Sequence, residues 1–175
     1  MHKKDNYSFS AANATFAGTL LGLTLAAVLC WIYIHFKGSI NLLEFKLYHL
    51  AILFLLIVIH EVIHIFYFLL EPQCQLSDIK VGFNKKYLLP YVHCSAVVKV
   101  HTYRTSTMAP ANFLGFVPTF SGYLTGNPVF FLIGVIMLAS STGDFMVLWK
   151  IRKLKRNQLV KDHPTRVGCE LVEEK

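Results

Sequence analysis

Five consecutive residues, His60-Glu61-Val62-Ile63-His64, have the types and spacing of a zinc-binding motif with a built-in base. In a helix, residues four apart lie on one face about 6 Å apart, so His60 and His64 can direct imidazole nitrogens at one ion. Glu61 is rotated by about 100° from His60 and can reach a water molecule beside the ion. The spacing therefore predicts His60 and His64 as zinc ligands and Glu61 as the catalytic base that takes a proton from water.

The motif lies inside an apolar run, Leu47 to Leu70, that is long enough to cross a bilayer. Each ionised group at the bilayer centre raises the free energy by roughly 2.5–3.5 kcal/mol on insertion scales, so a partner must offset that cost. A bound Zn²⁺ is one such partner. The alternative is a helix-bundle interior in which the histidines bond to neighbouring backbone groups.

The composition favours a membrane protein over a soluble or nucleic-acid-binding one. Of 175 residues, 54% are hydrophobic and 15% are charged, whereas about a quarter of a soluble domain is charged. The net charge of +7 comes from basic residues that flank the apolar runs. In those positions they set topology and meet anionic headgroups, so the predicted partner is the lipid bilayer and not nucleic acid.

Hydropathy predicts a single all-α membrane domain over residues 1–175, a four-transmembrane-helix bundle. The expected spans are residues 14–36, 47–70, 108–124 and 129–149. The third span contains Pro110 and Pro118, so we expect it to be either kinked or partly re-entrant. Between helices 2 and 3, residues 78–83 and 92–103 are rich in Val, Tyr and Phe, which predicts a small β-hairpin or sheet in a loop spanning residues 71–106. The tail, residues 150–175, is polar.

Basic residues are distributed unevenly across the predicted membrane. Only Lys37 and Lys46 lie on one side. The other side holds Lys3, Lys4, Lys80, Lys85, Lys86, Lys99, Arg104 and the basic cluster within residues 150–166. The positive-inside rule therefore predicts a multi-pass cell-membrane protein with both termini and the 71–106 loop in the cytoplasm.

The third zinc ligand must come from another part of the chain, and Asp144 has a suitable depth. His64 precedes the end of its span by six residues, and Asp144 precedes Lys150 by six. At a rise of 1.5 Å per residue, both lie roughly 9 Å inside one boundary of an antiparallel bundle. A lone carboxylate in an apolar span needs a partner such as a metal. Asp144 is therefore the predicted third ligand, and the competing candidates are His93, His101, Glu71 and Asp162.

A substrate-binding role is predicted for Tyr91, Val92 and His93. These residues can form an edge strand that pairs with an extended peptide, because backbone pairing presents a peptide regardless of its sequence. The alternative is a hairpin that only caps the bundle. His93 or His101 can also donate a hydrogen bond to a developing oxyanion, whereas a surface role for either histidine needs no chemistry.

Several separated motifs follow one another along residues 47–169: His60-Glu61-Val62-Ile63-His64, Pro90-Tyr91-Val92-His93-Cys94, Tyr103-Arg104 with Pro110, Ser141-Thr142-Gly143-Asp144-Phe145, Asp162-His163-Pro164 and Gly168-Cys169. In this order they resemble a bacterial family of small four-span membrane proteins known as putative zincin peptidases. The layout is also similar to the site-2 proteases, which carry HExxH on one membrane helix and an aspartate ligand on a later one.

The resemblance to site-2 proteases implies His60, His64 and Asp144 as ligands and Glu61 as the base. The sequence departs from that pattern beside Asp144, where a glycine precedes the aspartate and no asparagine lies nearby in the helix. The resemblance therefore identifies no residue that stabilises the oxyanion.

Together these features predict a zinc-dependent membrane-embedded metalloprotease. Its substrates would be peptide bonds of membrane or membrane-proximal polypeptides near the cytoplasmic face. Two alternatives remain open at this point. One is a non-catalytic membrane binding or scaffold protein with a structural metal site, and the other is a zinc hydrolase that acts on small amides.

Overall fold

The computed structural model describes residues 6–41, 44–86 and 89–172. Lys3 and Lys4, which entered the topology prediction, lie outside these residues, as do residues 87–88 of the predicted hairpin and residues 173–175 of the tail. The described part of the chain is mostly helical, with antiparallel sheet at one end.

The two longest helices are α1 (Ala11–Lys37) and α2 (Leu47–Leu69), and they agree with the first two predicted spans. Large apolar side chains cover their outer surfaces, as expected for helices that face lipid. In the described ranges, α1 and α2 are the individual helices long and apolar enough to cross a membrane.

The third predicted span begins earlier than the sequence suggested. Helix α3 (Val100–Pro110), a π-helical segment (Ala111–Phe116) and helix α4 (Val117–Thr125) follow one another without a break. The strand predicted over residues 92–103 is therefore wrong beyond Lys99. The π-helical segment lies between Pro110 and Pro118, which lack the N–H of a regular helix. The expected kink itself stays a prediction.

The fourth predicted span is broken into two helices. Helix α5 (Pro128–Ser140) and helix α6 (Thr142–Lys150) meet at Ser141 with a bend of 43°. If this bent pair counts as one span, the described residues contain up to three candidate spans. A four-span bundle remains a prediction, because the stretch from α3 to α4 is not among the candidate spans.

The described residues are mostly helical, as predicted, but they contain more sheet than the small hairpin or sheet expected between helices 2 and 3. Strands β2 (Ile79–Asn84) and β3 (Leu89–Cys94) form the hairpin. A second, four-stranded antiparallel sheet has the order β1-β6-β5-β4, with β1 (Asn6–Phe9), β4 (Val97–Lys99), β5 (Leu159–Asp162) and β6 (Val167–Val172). Its strands come from the N-terminal segment, the loop and the tail. Such pairing depends on contacts distant in sequence, which short strands do not reveal by their own patterns.

One hydrophobic core joins the sheet to the helices. It contains the buried side chains of Phe68, Val98, Val100, Tyr103, Val147, Ile151, Val160 and three cysteines, Cys74, Cys94 and Cys169. Burial raises the pKa of both the Cys94 and Cys169 thiols to about 12. These thiols are therefore protonated at neutral pH and pack as small apolar side chains.

Helices α4 and α5 form a close hairpin that depends on small residues. Gly126, with φ of 70°, ends α4, and the Asn127 side chain accepts a hydrogen bond from the Phe130 N–H at 2.9 Å to begin α5. A Cβ on Gly122 would lie 2.3 Å from the Phe131 backbone nitrogen. The two backbones are in direct contact there, so no side chain fits between them.

We expect Gly122→Ala to destabilise the protein by about 1–3 kcal/mol, because the added methyl group forces the two backbones apart. Gly143→Ala is the matched control, since its Cβ would have no neighbour within 4 Å. Replacing glycine by alanine raises helix propensity by up to about 1 kcal/mol in both variants, so a difference between their stabilities reports the clash alone. Thermal unfolding in detergent measures the effect, and equal unfolding midpoints for the two variants would contradict this packing.

Candidate metal centre

Helix α3 lies between α2 and α6 and bonds to both. The Ser106 hydroxyl donates to the carbonyl of His64 at 3.0 Å, and the Ser106 carbonyl lies 3.0 Å from Nδ1 of His64. Arg104 donates to the carbonyls of Ile151 and Leu154, at 2.5 and 3.0 Å, just beyond the C-terminus of α6. These bonds fix the position of the HExxH helix relative to the helix that carries Asp144.

The structure brings together His60, His64 and Asp144. The Nε2 atoms of His60 and His64 lie 3.2 and 3.7 Å from Oδ2 of Asp144. Each residue offers one ligand atom, and these atoms all lie within 4.8 Å of one another. His60 is buried, and His64 and Asp144 are half-buried. Among the described residues, this is the group of three or more His, Cys, Asp or Glu side chains that is close enough to hold one metal ion.

The hydrogen bonding of His64 supports a cation between these side chains. A carbonyl only accepts hydrogen bonds, so Nδ1 of His64 carries the proton that Ser106 receives. In the neutral imidazole, Nε2 then has a lone pair that faces the Asp144 carboxylate. Two acceptors facing each other repel unless a cation or proton lies between them, and this arrangement of a ligand histidine bonded to a backbone carbonyl is typical of zinc sites.

The two distances between Asp144 and the histidines also suit zinc, although the three ligand atoms together spread over up to 4.8 Å. Bonds of about 2.0–2.2 Å from tetrahedral Zn²⁺ to nitrogen and oxygen place neighbouring ligand atoms about 3.4 Å apart. The two distances from Asp144 to the histidines lie on either side of this value. Asp144 also lies in the first turn of α6, where the helix dipole favours a negative charge. Two imidazoles and one carboxylate leave a fourth tetrahedral position for water or substrate.

Glu61 lies next to the cluster but outside its three ligand residues. Its side chain is half-buried and within electrostatic range of both histidines and of Asp144. This position agrees with a base rather than a ligand. Its catalytic role, and the ligand roles of His60, His64 and Asp144, remain predictions.

The competing ligand candidates have other partners. His101 is exposed, and its Nε2 lies 3.5 Å from the Arg156 guanidinium. Glu71 is buried and accepts a hydrogen bond from the Thr102 hydroxyl. His93 and Asp162 lie near each other, with 3.7 Å between Nδ1 and Oδ2. None of the four is in the His60, His64 and Asp144 cluster among the described residues.

Tyr91, Val92 and His93 lie on β3, whose pairing with β2 determines which backbone groups point outward. Pro90 has no N–H, and the Cys94 N–H donates to Asp162 Oδ2 at 2.8 Å. The backbone N–H and C=O positions of residues 90 and 94 therefore point away from β2. Backbone groups alternate in direction from one residue to the next along a strand, so the N–H and C=O of Val92 also point away from β2. Among the described residues, the outward N–H of Val92 has no backbone partner.

Sequence reasoning missed two residues that matter here. Ser106, which orients His64, was not identified, because its contribution is a backbone carbonyl that any residue has. The bond from the Tyr103 hydroxyl to Asp162 was also missed, since it joins residues far apart in the chain. The only available signal was the polarity of Ser106 and Tyr103, which lie on a helix packed against apolar neighbours.

These features describe a mostly helical protein with apolar helices long enough to cross a membrane and a side-chain cluster close enough to hold one metal ion. The profile of a protein family with the description "Putative zincin peptidase" matches residues 53–159, more than half of the chain. The chain therefore belongs to this family, as the resemblance predicted. No curated protein and no solved structure matches it.

We expect the purified protein to bind about one zinc ion per chain, and His60→Ala, His64→Ala and Asp144→Ala each to lose it, since two ligands hold zinc weakly. Glu61→Gln should retain zinc. The matched control is His101→Ala, which removes a histidine outside the cluster. Elemental analysis by mass spectrometry measures the metal. Wild-type zinc content in His64→Ala would reject this cluster as the metal centre.

Proposed function

We propose that the protein is a zinc-dependent, membrane-embedded peptidase that cleaves membrane or membrane-proximal polypeptides. The observation that carries the proposal is the convergence of His60, His64 and Asp144 next to Glu61 on the apolar helix α2. Membership of a family of zincin peptidases supports the same reaction class.

The residues divide the chemistry among them. His60, His64 and Asp144 would hold the metal, and the Ser106 carbonyl keeps His64 in the tautomer that presents Nε2. A zinc ion, when bound, polarises the peptide carbonyl and lowers the pKa of a neighbouring water. Glu61 takes a proton from that water and returns it to the leaving amine, which is the role of a general base followed by a general acid.

We also propose that the edge of β3 presents the substrate. The outward N–H and C=O of Val92 can bond to one residue of an extended peptide, as in other cases of strand addition. Tyr91 and His93 flank this residue and contact the neighbouring part of the peptide. Backbone pairing of this kind selects an extended chain over a folded helix, so the substrate segment must unwind before cleavage.

For the topology, we propose four membrane-crossing stretches with both termini and the sheet in the cytoplasm. The end of the bundle next to the sheet carries most of the basic residues, whereas Lys37 and Lys46 lie near the connection between α1 and α2. The metal cluster lies about 8 Å from the sheet end of α2, since His64 precedes Leu69 by five residues. Cleavage would therefore occur near the cytoplasmic face.

We expect Glu61→Gln to abolish cleavage while zinc content and thermal stability stay close to wild type, because the amide cannot accept the proton. The measurement compares membrane proteomes of cells with the wild-type protein and cells with Glu61→Gln. Uncleaved substrates should accumulate only in the variant. Identical proteomes would instead favour a non-catalytic membrane protein with a structural metal, and accumulation of small amides alone would favour a small-amide hydrolase.

We expect Val92→Pro to impair cleavage of the polypeptides that accumulate with Glu61→Gln, because proline removes the outward N–H. The hairpin itself should remain, since Val92, like Pro90, does not donate to β2. Tyr91→Pro is the contrasting variant, as it removes an N–H that points toward β2 and should destabilise the hairpin. Unchanged processing by a folded, zinc-loaded Val92→Pro protein would argue against strand addition at this edge.

A further inference from the structure

A second polar cluster lies beside the metal centre and is built around Asp162. Its Oδ1 accepts a hydrogen bond from the Tyr103 hydroxyl at 2.6 Å, and its Oδ2 accepts the Cys94 N–H at 2.8 Å. Nδ1 of His93 lies 3.7 Å from Oδ2. The Asp162 side chain is 11% exposed and that of His93 is 21% exposed, so the carboxylate is held inside while the imidazole reaches the surface.

The two clusters are neighbours in the fold. Tyr103 lies one turn before Ser106 on α3, and its ring contacts Phe68, one turn after His64 on α2, with 5.7 Å between ring centroids. Asp162 is within electrostatic range of both His93 and His64, so the imidazole of β3 and the metal centre share one carboxylate neighbour. Tyr103 is likewise within electrostatic range of Asp144.

Asp162 also ends the free edge of β3. The outward N–H of Cys94 is occupied by the carboxylate, so a strand that pairs with Val92 cannot continue along β3 past that point. The peptide must leave the edge beside His93, which lies between Val92 and Cys94.

We propose that His93 is a catalytic residue that donates a hydrogen bond to the scissile carbonyl oxygen as that oxygen gains negative charge, and that Asp162 positions it. The proposal rests on the peptidase function. When the imidazole carries both protons, Nδ1–H faces Asp162 and Nε2–H is left for the substrate. Tyr103 and the Cys94 amide hold the carboxylate in place, which is the preorganisation that such a donor requires.

His101, the other histidine considered for this role, faces Arg156 on the exposed surface and has no carboxylate partner among its described contacts. The structure therefore separates two histidines that the sequence treats alike. His101 also supplies a matched control, because its replacement removes the same chemical group at a position outside both clusters.

Two zinc-directed probes test the role of His93 in the zinc-loaded, full-length protein. Acetohydroxamate chelates zinc and extends no further, whereas an N-phosphoryl dipeptide carries a tetrahedral anionic group that resembles the transition state of amide hydrolysis. We expect His93→Ala to raise the dissociation constant of the N-phosphoryl dipeptide on the order of 100-fold, because one oxyanion donor is lost. The dissociation constant of acetohydroxamate should stay unchanged. Calorimetry measures both dissociation constants.

Further variants distinguish a catalytic role from a structural one. His93→Gln keeps a hydrogen-bond donor and should recover part of the affinity for the N-phosphoryl dipeptide. Asp162→Asn should raise the dissociation constant of this dipeptide by about 10-fold. His101→Ala should change the dissociation constant of neither probe. If folded, zinc-loaded His93→Ala binds both probes like wild type, His93 has no such role while the peptidase proposal stands. Failure of both probes to bind the zinc-loaded wild-type protein would reject the peptidase proposal itself.

Discussion

The position of helix α3 between α2 and α6 is the constraint on which the metal centre depends. The paired bonds between Ser106 and His64 fix α3 against α2, and Arg104 fixes α3 against the end of α6. Both pairs involve backbone carbonyls, so they fix the helices themselves rather than only side chains. A shift of one turn along either contact would separate Asp144 from the histidines by about 5 Å, which is too far for a shared ion.

The break at Ser141 has a related consequence. A straight helix over residues 128–150 would place Asp144 in its interior, where no end of the helix dipole stabilises the carboxylate. The bend of 43° starts a new helix, and Asp144 lies in its first turn. The favourable dipole and the two imidazoles together offset part of the free energy needed to bury an anion among apolar helices.

The sheet contributes to the site as well as capping the bundle. Its strand β5 supplies Asp162, which bonds to both β3 and α3, so a single carboxylate connects the hairpin edge to the helix that orients His64. Burial raises the pKa of Asp162, and the Cys94 amide and Tyr103 hydroxyl counteract that rise.

The sequence by itself determined the apolar helices α1 and α2, the HExxH spacing, and the similar depth of Asp144 and His64, because each follows from local periodicity or from depth along a helix. It also predicted the β2–β3 hairpin. Only the tertiary structure decided the early start of α3, the break at Ser141, the four-stranded sheet, and the separation of His93 from His101. These features arise from contacts between residues far apart in the chain, such as Ser8 with Gly168 or Tyr103 with Asp162, and no local pattern encodes such pairings.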